Sequence, residues 1–199
     1  MTLKRAFDMA VSGPLLVTLA PLVWGASYLA SRETNAPGLF EQERIGLHGK
    51  PFKMHKIQTM RIAFNDAGIP LPDEERTGPI GRFLRKSKID ELPQLRNVWR
   101  GEMSLVGPRP LTKRDIVSRF HRDLTLDRRH NTLPGLTGLA QIKNTNTLSA
   151  EQRIALDHQY VDSQSFWNDL LIIAKTPWSI FKKCKGPHCL NQSQIPAEP

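Results

Sequence analysis

The longest apolar stretch of the chain lies near its N-terminus, where residues 9–30 include no charged side chain. At about 1.5 Å per residue, a straight helix of that length would just cross the hydrocarbon core of a bilayer. Pro21 falls near its middle, where a proline removes a backbone hydrogen bond and kinks a helix. Basic residues flank both ends, beginning with Lys4-Arg5, and both flanks favour the cytoplasmic side. We therefore expect a re-entrant helix that bends at Pro21 and returns; a straight span and, despite Asp8, a signal peptide are the alternatives.

Two short segments after this helix show the partial alternation of apolar and polar positions that is typical of strands. Residues 39–45 and 51–57 are separated by a glycine-containing turn, which predicts a small β hairpin. Residues 64–76 contain a glycine and two prolines and predict a loop. Three side chains on the second strand either contact phosphate or face solvent: Lys53, His55 and Lys56.

Helical spacing of apolar residues returns in the middle of the chain. Residues 81–86 predict a short basic helix, and residues 94–100 predict another that ends at Gly101. Residues 149–163 also predict a helix, which begins with a Ser149-x-x-Gln152 capping box. The segment 133–138 predicts a tight turn.

Two further segments have the composition of helices that lie in a membrane interface. Residues 111–130 predict one charged helix with an apolar side, including His121 and Arg122 among its basic positions. Residues 166–183 are apolar with Trp and Lys among the aliphatic residues, and Pro177 is expected to break the helix there. A soluble surface helix for the first and packing in the core for the second are the alternatives.

These elements predict an α+β fold that is predominantly helical, with a re-entrant N-terminal helix, interfacial amphipathic helices and a small β hairpin. We expect residues 1–34 to form the membrane anchor, residues 35–186 a cytoplasmic or interfacial domain, and residues 187–199 a flexible tail.

The charge balance indicates a polyanionic partner. Among 199 residues, 28 are Lys or Arg and 19 are Asp or Glu, for a net charge of +9. Phosphates, an anionic membrane surface and nucleic acid all suit that balance. Nucleic acid is disfavoured because the basic residues are scattered among Pro-Gly loops and an apolar N-terminus has no use there. The two cysteines, Cys184 and Cys189, are a weak metal signal and more typical of reduced thiols.

The candidate chemistry lies in one block, SKIDELPQLRNVWRGEMSLVGPRPL at residues 87–111. Asp90 and Glu91 stand where a helix should begin, and Arg109 follows in a Gly-Pro-Arg-Pro loop that is expected to be rigid. A helix N-terminus favours bound phosphate, and an arginine grips phosphoryl oxygens through two donors. A carboxylate can attack phosphorus while its neighbour acts as a base. The alternative is that Asp90 only caps the helix and Glu91 is only a first-turn acid.

The same block, together with others in order along the chain, carries a resemblance. The other blocks are Lys4-Arg5-Ala6-Phe7-Asp8, residues 40–52, residues 134–141 and residues 156–161. From about residue 4 to residue 183 the chain resembles the bacterial sugar transferases, the monotopic phosphoglycosyl transferases.

The resemblance implies a reaction and a location. A sugar-1-phosphate would pass from a nucleotide-diphosphate sugar, such as a UDP-sugar, to polyprenol phosphate, giving polyprenol-diphosphate-sugar and UMP. This would be the first membrane step of glycoconjugate synthesis, for O-antigen, capsule, exopolysaccharide or glycoprotein. The protein would sit on the cytoplasmic face of the bacterial inner membrane against anionic lipids, and an oligomer is possible. A catalytically inactive scaffold that binds lipid phosphate is the alternative.

The resemblance also implies roles for individual residues. Asp90 would form a covalent phosphosugar, and Glu91 would assist proton removal or position a metal. Mg²⁺ would neutralise the diphosphate, with Asp90 or Glu91 as a ligand. Arg85 and Arg109 would bind phosphate. The remaining candidates are two supporting residues and the membrane bend: Lys56, Asp157 and Pro21.

Overall fold

The computed structural model describes residues 2–120, 127–143 and 148–182. The helices are α1 Leu3–Thr34, α2 Asp73–Arg76, α3 Pro79–Ser87, α4 Leu95–Arg100, α5 Lys113–Phe120, α6 Leu139–Ile142, α7 Ala150–Asp162 and α8 Phe166–Lys182. The strands are β1 Leu39–Ile45, β2 Pro51–Ile57, β3 Ser104–Val106 and β4 Gly135–Thr137. Short 3₁₀ helices cover Leu47–Gly49, Ile89–Gln94 and Arg128–Asn131. The predicted α+β, mostly helical class is confirmed.

Helix α1 is a single helix of 32 residues that contains both Pro14 and Pro21. Thr2 begins it, with its hydroxyl accepting a hydrogen bond from Arg5 N at 3.3 Å. Asn35 ends it in the left-handed conformation. Within the described ranges, α1 is the one helix long and apolar enough to cross a membrane.

Both ends of α1 are fastened to the rest of the fold. At the start, Lys4 Nζ donates to Val106 O at 2.9 Å and pairs with Asp169 Oδ2 at 2.5 Å. At the end, the Glu33 carboxylate accepts from the backbone N–H groups of Ile80 and Gly81, at 2.9 and 2.8 Å, and so caps the first turn of α3. The helix therefore lies along the domain from one end to the other.

The middle of α1 approaches α4 closely at Gly13. A Cβ atom there would lie 2.6 Å from the ring of Trp99, which is closer than real Cβ contacts come. Glycine is thus required for the packing of these two helices, even though it costs about 1 kcal/mol relative to alanine in a helix.

The predicted hairpin forms with both strands at their expected bounds. β1 and β2 pair antiparallel, with Leu39 opposite Ile57 and Ile45 opposite Pro51. The buried amide of Asn97 attaches β2 to α4, because it donates to Lys53 O at 2.7 Å and accepts from His55 N at 3.2 Å. This contact sets β2 beside the 3₁₀ helix 89–94.

A second sheet was not predicted. β3 and β4 are parallel and only three residues each, too short for alternation to show in the sequence. They approach so closely that a Cβ atom on Gly135 would lie 2.0 Å from Gly107 N. Segment 133–138 is therefore a strand beside the Gly-Pro-Arg-Pro loop, not a free turn.

The main core lies between the hairpin, α4, β3, α7 and α8. Its buried members are Met54, Leu95, Val98, Met103, Leu105, Val106, Tyr160 and Ile172. Phe7, Val11, Leu16 and Leu19 of α1 pack against it. The first half of α1 is therefore built into the core.

The prediction of one helix over residues 111–130 is wrong. Helix α5 covers Lys113–Phe120, and at Asp127 the backbone is extended with φ −62° and ψ 143°. Asp127 Oδ1 accepts from Arg129 N at 3.0 Å, so the side chain starts a new turn instead of continuing a helix. His121 and Arg122 lie outside the described residues.

The predicted break at Pro177 is also wrong, because α8 runs through it. Pro177 is exposed, while Ile172 and Ser179 on either side are buried, so packing holds both halves in line. Trp167 and Trp178 point outward, with 74% and 68% of their surface exposed. Cys184, Cys189 and the predicted tail lie outside the described residues.

Candidate active site

Asp90 and Glu91 lie in the 3₁₀ helix 89–94, one turn before α4 begins at Leu95. Lys88, in the left-handed conformation with φ 62°, separates this turn from α3. The predicted helix start is thus a 3₁₀ turn, and Gly101 ends α4 as expected. Both carboxylates are buried.

Glu91 is surrounded by cations. Its Oε1 lies 3.3 Å from Arg109 Nη2, 3.4 Å from Lys56 Nζ and 3.8 Å from Lys88 Nζ. Burial alone would raise the pKa of Glu91, but Lys56, Arg109 and Lys88 outweigh it and hold that pKa well below the usual range. Glu91 is therefore an anion throughout the physiological range and a weak base.

Asp90 is in the opposite situation. Its Oδ1 is buried and has no hydrogen-bond partner among the described residues. Burial and the neighbouring Glu91 raise the pKa of Asp90, against the opposing effect of Lys56, Lys88 and Arg85. A buried carboxylate oxygen without a partner is costly, so its presence here points to a ligand or a reacting atom.

Arg109 is presented by a loop whose backbone is fixed on both sides. Gly135 N donates to Pro108 O at 2.9 Å, and Arg44 Nη1 donates to Pro110 O at 3.3 Å. The Arg109 side chain is 42% exposed, so it reaches Glu91 while leaving donors open to solvent. The predicted rigid loop that directs one arginine toward the acid pair is present.

Arg85 lies near the pair and faces a third acid. Its guanidinium is 3.6 Å from Asp73 of α2, and Nη1 donates to Met60 Sδ at 3.2 Å. Arg85 also opposes the rise in the pKa of Asp90, less than Lys56 and Lys88 do. Sequence reasoning did not identify Asp73, which falls in the segment predicted to be a loop.

The candidate residues on β2 and α1 lie in different parts of the structure. Lys56 belongs to the site, and burial lowers its pKa while Glu91 opposes that effect. Lys53 and His55 instead pair with Glu41 on the outer side of the hairpin. Pro21 lies within α1, and its role at a membrane bend stays a prediction.

Asp157 is connected to the acid pair through Arg129 and Arg109. Its Oδ2 lies 2.9 Å from Arg129 Nη2, which also donates to Arg109 O at 2.6 Å. Sequence reasoning did not place Arg129 at the site. Its only signal was its position among the basic residues of a predicted surface helix, which indicates a solvated side chain.

The donor set suits a magnesium ion that is shared with a substrate. No group of three His, Cys, Asp or Glu residues within the described ranges could hold a metal alone. Mg²⁺ commonly binds through one or two carboxylates plus substrate phosphates. The unpartnered Asp90 Oδ1 is such a donor, whereas Glu91 Oε1 is occupied by three cations.

These observations define a class of protein: a small α+β domain with a long apolar helix along it and a buried acid pair among lysine and arginine side chains. Residues 1–183 match the family described as Bacterial sugar transferase, and the chain belongs to that family. The predictions of the family and of a transferase enzyme are confirmed.

Three relatives illustrate the similarity. The chain is 43% identical over 176 residues to the uncharacterized sugar transferase EpsL of Bacillus subtilis, covering 88% of this chain and 86% of the relative. It is 39% identical over 180 residues to the UDP-glucose:undecaprenyl-phosphate glucose-1-phosphate transferase of Caulobacter vibrioides, covering 87% and 67%. It is 36% identical over 198 residues to the UDP-galactose-lipid carrier transferase of Erwinia amylovora, covering 91% of this chain but 41% of that longer protein.

Proposed function

We propose that the protein transfers a sugar-1-phosphate from a UDP-sugar to undecaprenyl phosphate, giving undecaprenyl-diphosphate-sugar and UMP. The observation that carries this proposal is the arrangement of Asp90 and Glu91. One carboxylate is held by three cations, and its neighbour has a buried oxygen without a partner in the described chain. The names of the Caulobacter vibrioides and Erwinia amylovora relatives support the substrate classes.

In the first step, an Asp90 oxygen attacks the sugar-bearing phosphorus of the donor. The bond from that phosphorus to the bridging oxygen breaks, and UMP leaves with the electron pair. In the second step, an oxygen of undecaprenyl phosphate attacks the same phosphorus and the bond to Asp90 breaks. The carboxylate is thereby restored, and atoms and charges balance over the two steps.

Glu91 suits a positioning role better than that of a base. Its low pKa makes it a poor proton acceptor, while its charge gathers Lys56, Lys88 and Arg109 at one point. With Arg85 and its partner Asp73 included, four cations face three carboxylates, so the site favours an added anion. The cations would stabilise charge on the phosphoryl oxygens during both steps.

Mg²⁺ at this site would neutralise charge on the diphosphate. Asp90 is the favoured protein ligand and Glu91 the second candidate, because Asp90 Oδ1 has no other described partner. Arg109 and Lys56 would still hold the phosphoryl oxygens that the ion leaves uncovered.

The packing of α1 supports a monotopic seat on one leaflet. A helix of 32 residues is about 48 Å long, more than the roughly 30 Å needed to cross. Both of its ends contact the same domain, through Lys4 and Glu33, so a crossing would break one set of contacts. Exposed aromatic residues of α1 and α8 would lie at headgroup level against anionic lipids: Trp24, Tyr28, Trp167 and Trp178. We place this seat on the cytoplasmic face because the net charge of +9 favours that side.

The test is release of UMP from a panel of UDP-sugars by the protein in membranes that contain undecaprenyl phosphate. We expect one donor to give UMP and a lipid-linked sugar diphosphate, and both to disappear with Asp90→Asn. Binding of undecaprenyl phosphate without UMP from any donor would contradict the proposal and favour the inactive scaffold.

A further inference from the structure

Arg129 is a buried arginine that joins two parts of the fold. It is 3% exposed and stands in the 3₁₀ helix 128–131, next to Asp127, whose carboxylate pairs with His158 of α7. Its Nη2 binds Asp157 of α7 at 2.9 Å and donates to the carbonyl of Arg109 at 2.6 Å. A buried ion pair adds little stability relative to apolar packing. Stability alone therefore does not explain this arrangement.

The hydrogen bond from Arg129 to the Arg109 carbonyl is one of three that hold the backbone of the Arg109 loop. Three successive carbonyls accept hydrogen bonds from three separate parts of the chain: Pro108 O from Gly135 N, Arg109 O from Arg129, and Pro110 O from Arg44. Pro108 and Pro110 further restrict the backbone. The carbonyl that Arg129 holds belongs to the residue whose side chain meets Glu91.

We propose that Arg129, oriented by Asp157, is a positioning residue that fixes the backbone of Arg109 so that its guanidinium meets Glu91 and the substrate phosphate. This inference rests on the proposed function and deepens it. Asp157 holds Arg129, Arg129 holds the Arg109 carbonyl, and the Arg109 side chain contacts Glu91 Oε1 at 3.3 Å. Neither Arg129 nor Asp157 touches the reacting atoms.

The pair also predicts a pH effect. Burial raises the pKa of Asp157 to about 6, with Arg129 and His158 lowering it and Asp127 raising it. Above that pH the carboxylate is charged and holds Arg129; below it, protonation weakens the hold. Turnover should therefore fall as the pH drops through about 6, and Asp157→Asn should lower turnover at pH 7.5.

The chain offers a matched control on the same two elements. Arg128 pairs with Asp162 of α7 at 3.2 Å, but the two side chains are 54% and 57% exposed. Arg128→Lys therefore changes an arginine–aspartate pair between the same 3₁₀ helix and α7 without affecting the buried link.

The experiment is a double-mutant cycle in kcat and KM for the UDP-sugar, using full-length Arg129→Lys, Arg109→Ala and the double variant in membranes. Arg129 Nη2 makes both contacts, and a lysine ammonium, which ends about one bond closer to the backbone, keeps the charge but does not hold both contacts at these distances. We expect Arg129→Lys to lose roughly 10- to 100-fold in kcat, as misplacement of a binding group by about 1 Å does. In the Arg109→Ala background the same change should cost little, because the guanidinium that Arg129 positions is gone, although the carbonyl remains. Arg128→Lys should match the wild type.

Equal kcat in Arg129→Lys and the wild type, losses that multiply in the double variant, or an equal loss in Arg128→Lys would each overturn the inference. If Arg129→Lys does not fold, Asp157→Asn takes its place in the cycle at pH 7.5: a kcat equal to that of the wild type, or a loss that multiplies with that of Arg109→Ala, would also overturn it. A wild type inactive with every donor refutes the proposed function and this inference with it. An active wild type with multiplying losses refutes only the inference.

Discussion

At the residue scale, the site depends on two adjacent carboxylates with opposite surroundings. Cations hold the pKa of Glu91 low, whereas burial and Glu91 raise that of Asp90. Environments that separate the pKa values of neighbouring acids assign them different work. Here Glu91 contacts Lys56, Lys88 and Arg109, whereas Asp90 Oδ1 has no partner among the described residues and is the oxygen that we propose reacts with the substrate.

These different surroundings predict that removing the charge of Glu91 lowers the free energy of unfolding more than removing the charge of Lys56. Glu91→Gln would leave three cations facing a neutral amide, so we expect a loss of about 3 kcal/mol in the free energy of unfolding. Lys56→Met would leave Glu91 with Lys88 and Arg109, and we expect about 1 kcal/mol or less, since an apolar group replaces a desolvated one. Thermal unfolding in nanodiscs measures the difference. Both variants should lose transferase activity.

Glu41 is the control for that comparison. It pairs with one cation, the exposed Lys53, and lies beside His55, whose pKa burial lowers. Glu41→Gln should leave both stability and activity close to wild type, because exposed ion pairs contribute little. A melting temperature for Glu91→Gln as high as that for Glu41→Gln would contradict the role assigned to Glu91.

The sequence predicted those site residues whose partners are close to them along the chain. Asp90, Glu91 and Arg109 fall within one block of sequence, so local pattern and resemblance found them together. Arg129 was missed because its contacts are a backbone carbonyl and an acid 28 positions away along the chain, for which no local pattern exists. Only tertiary packing places it in the interior.

At the element scale, boundaries with a local cause were predicted well. The hairpin, the capping box of α7 and the glycine end of α4 each depend on residues within a few positions of one another. The parallel pairing of β3 with β4 and the continuity of α8 through Pro177 depend on contacts between distant segments. Sequence periodicity carries no such information.

The α1–α4 contact gives an element-scale prediction. Gly13→Ala should lower the melting temperature, because the added Cβ meets the Trp99 ring at 2.6 Å. At Gly25, in the same helix, a Cβ would meet no other part of the described chain within 4 Å, so Gly25→Ala should leave the melting temperature unchanged or raise it through helix propensity. Equal effects of the two changes would contradict the account of this packing.

At the scale of the whole molecule, an apolar surface and a cationic site belong to one body. The exposed aromatics of α1 and α8 suit a lipid interface, and the cations around Glu91 suit phosphates. A soluble donor and a lipid phosphate can meet only where those two environments adjoin. The fastening of α1 at both ends is what would keep the site at headgroup height.

The position of α1 in the membrane is testable by labelling single cysteines introduced at Leu3 or Leu39, which are both exposed. Cys184 and Cys189 are first replaced by serine. We expect a membrane-impermeant maleimide to label both positions in inverted vesicles and neither in intact cells with a permeabilised outer membrane. Labelling of the two positions from opposite sides would show that α1 crosses, and would refute the monotopic seat.

The most direct measurement is the intact mass of the protein after incubation with its UDP-sugar in the absence of undecaprenyl phosphate. The account predicts a mass increase of one sugar phosphate less water, located on the peptide that contains Asp90 and released by adding the lipid phosphate. The increase should be absent from Asp90→Asn and present in Asp162→Asn, which changes an exposed acid of α7. An adduct or sustained turnover in Asp90→Asn would contradict it.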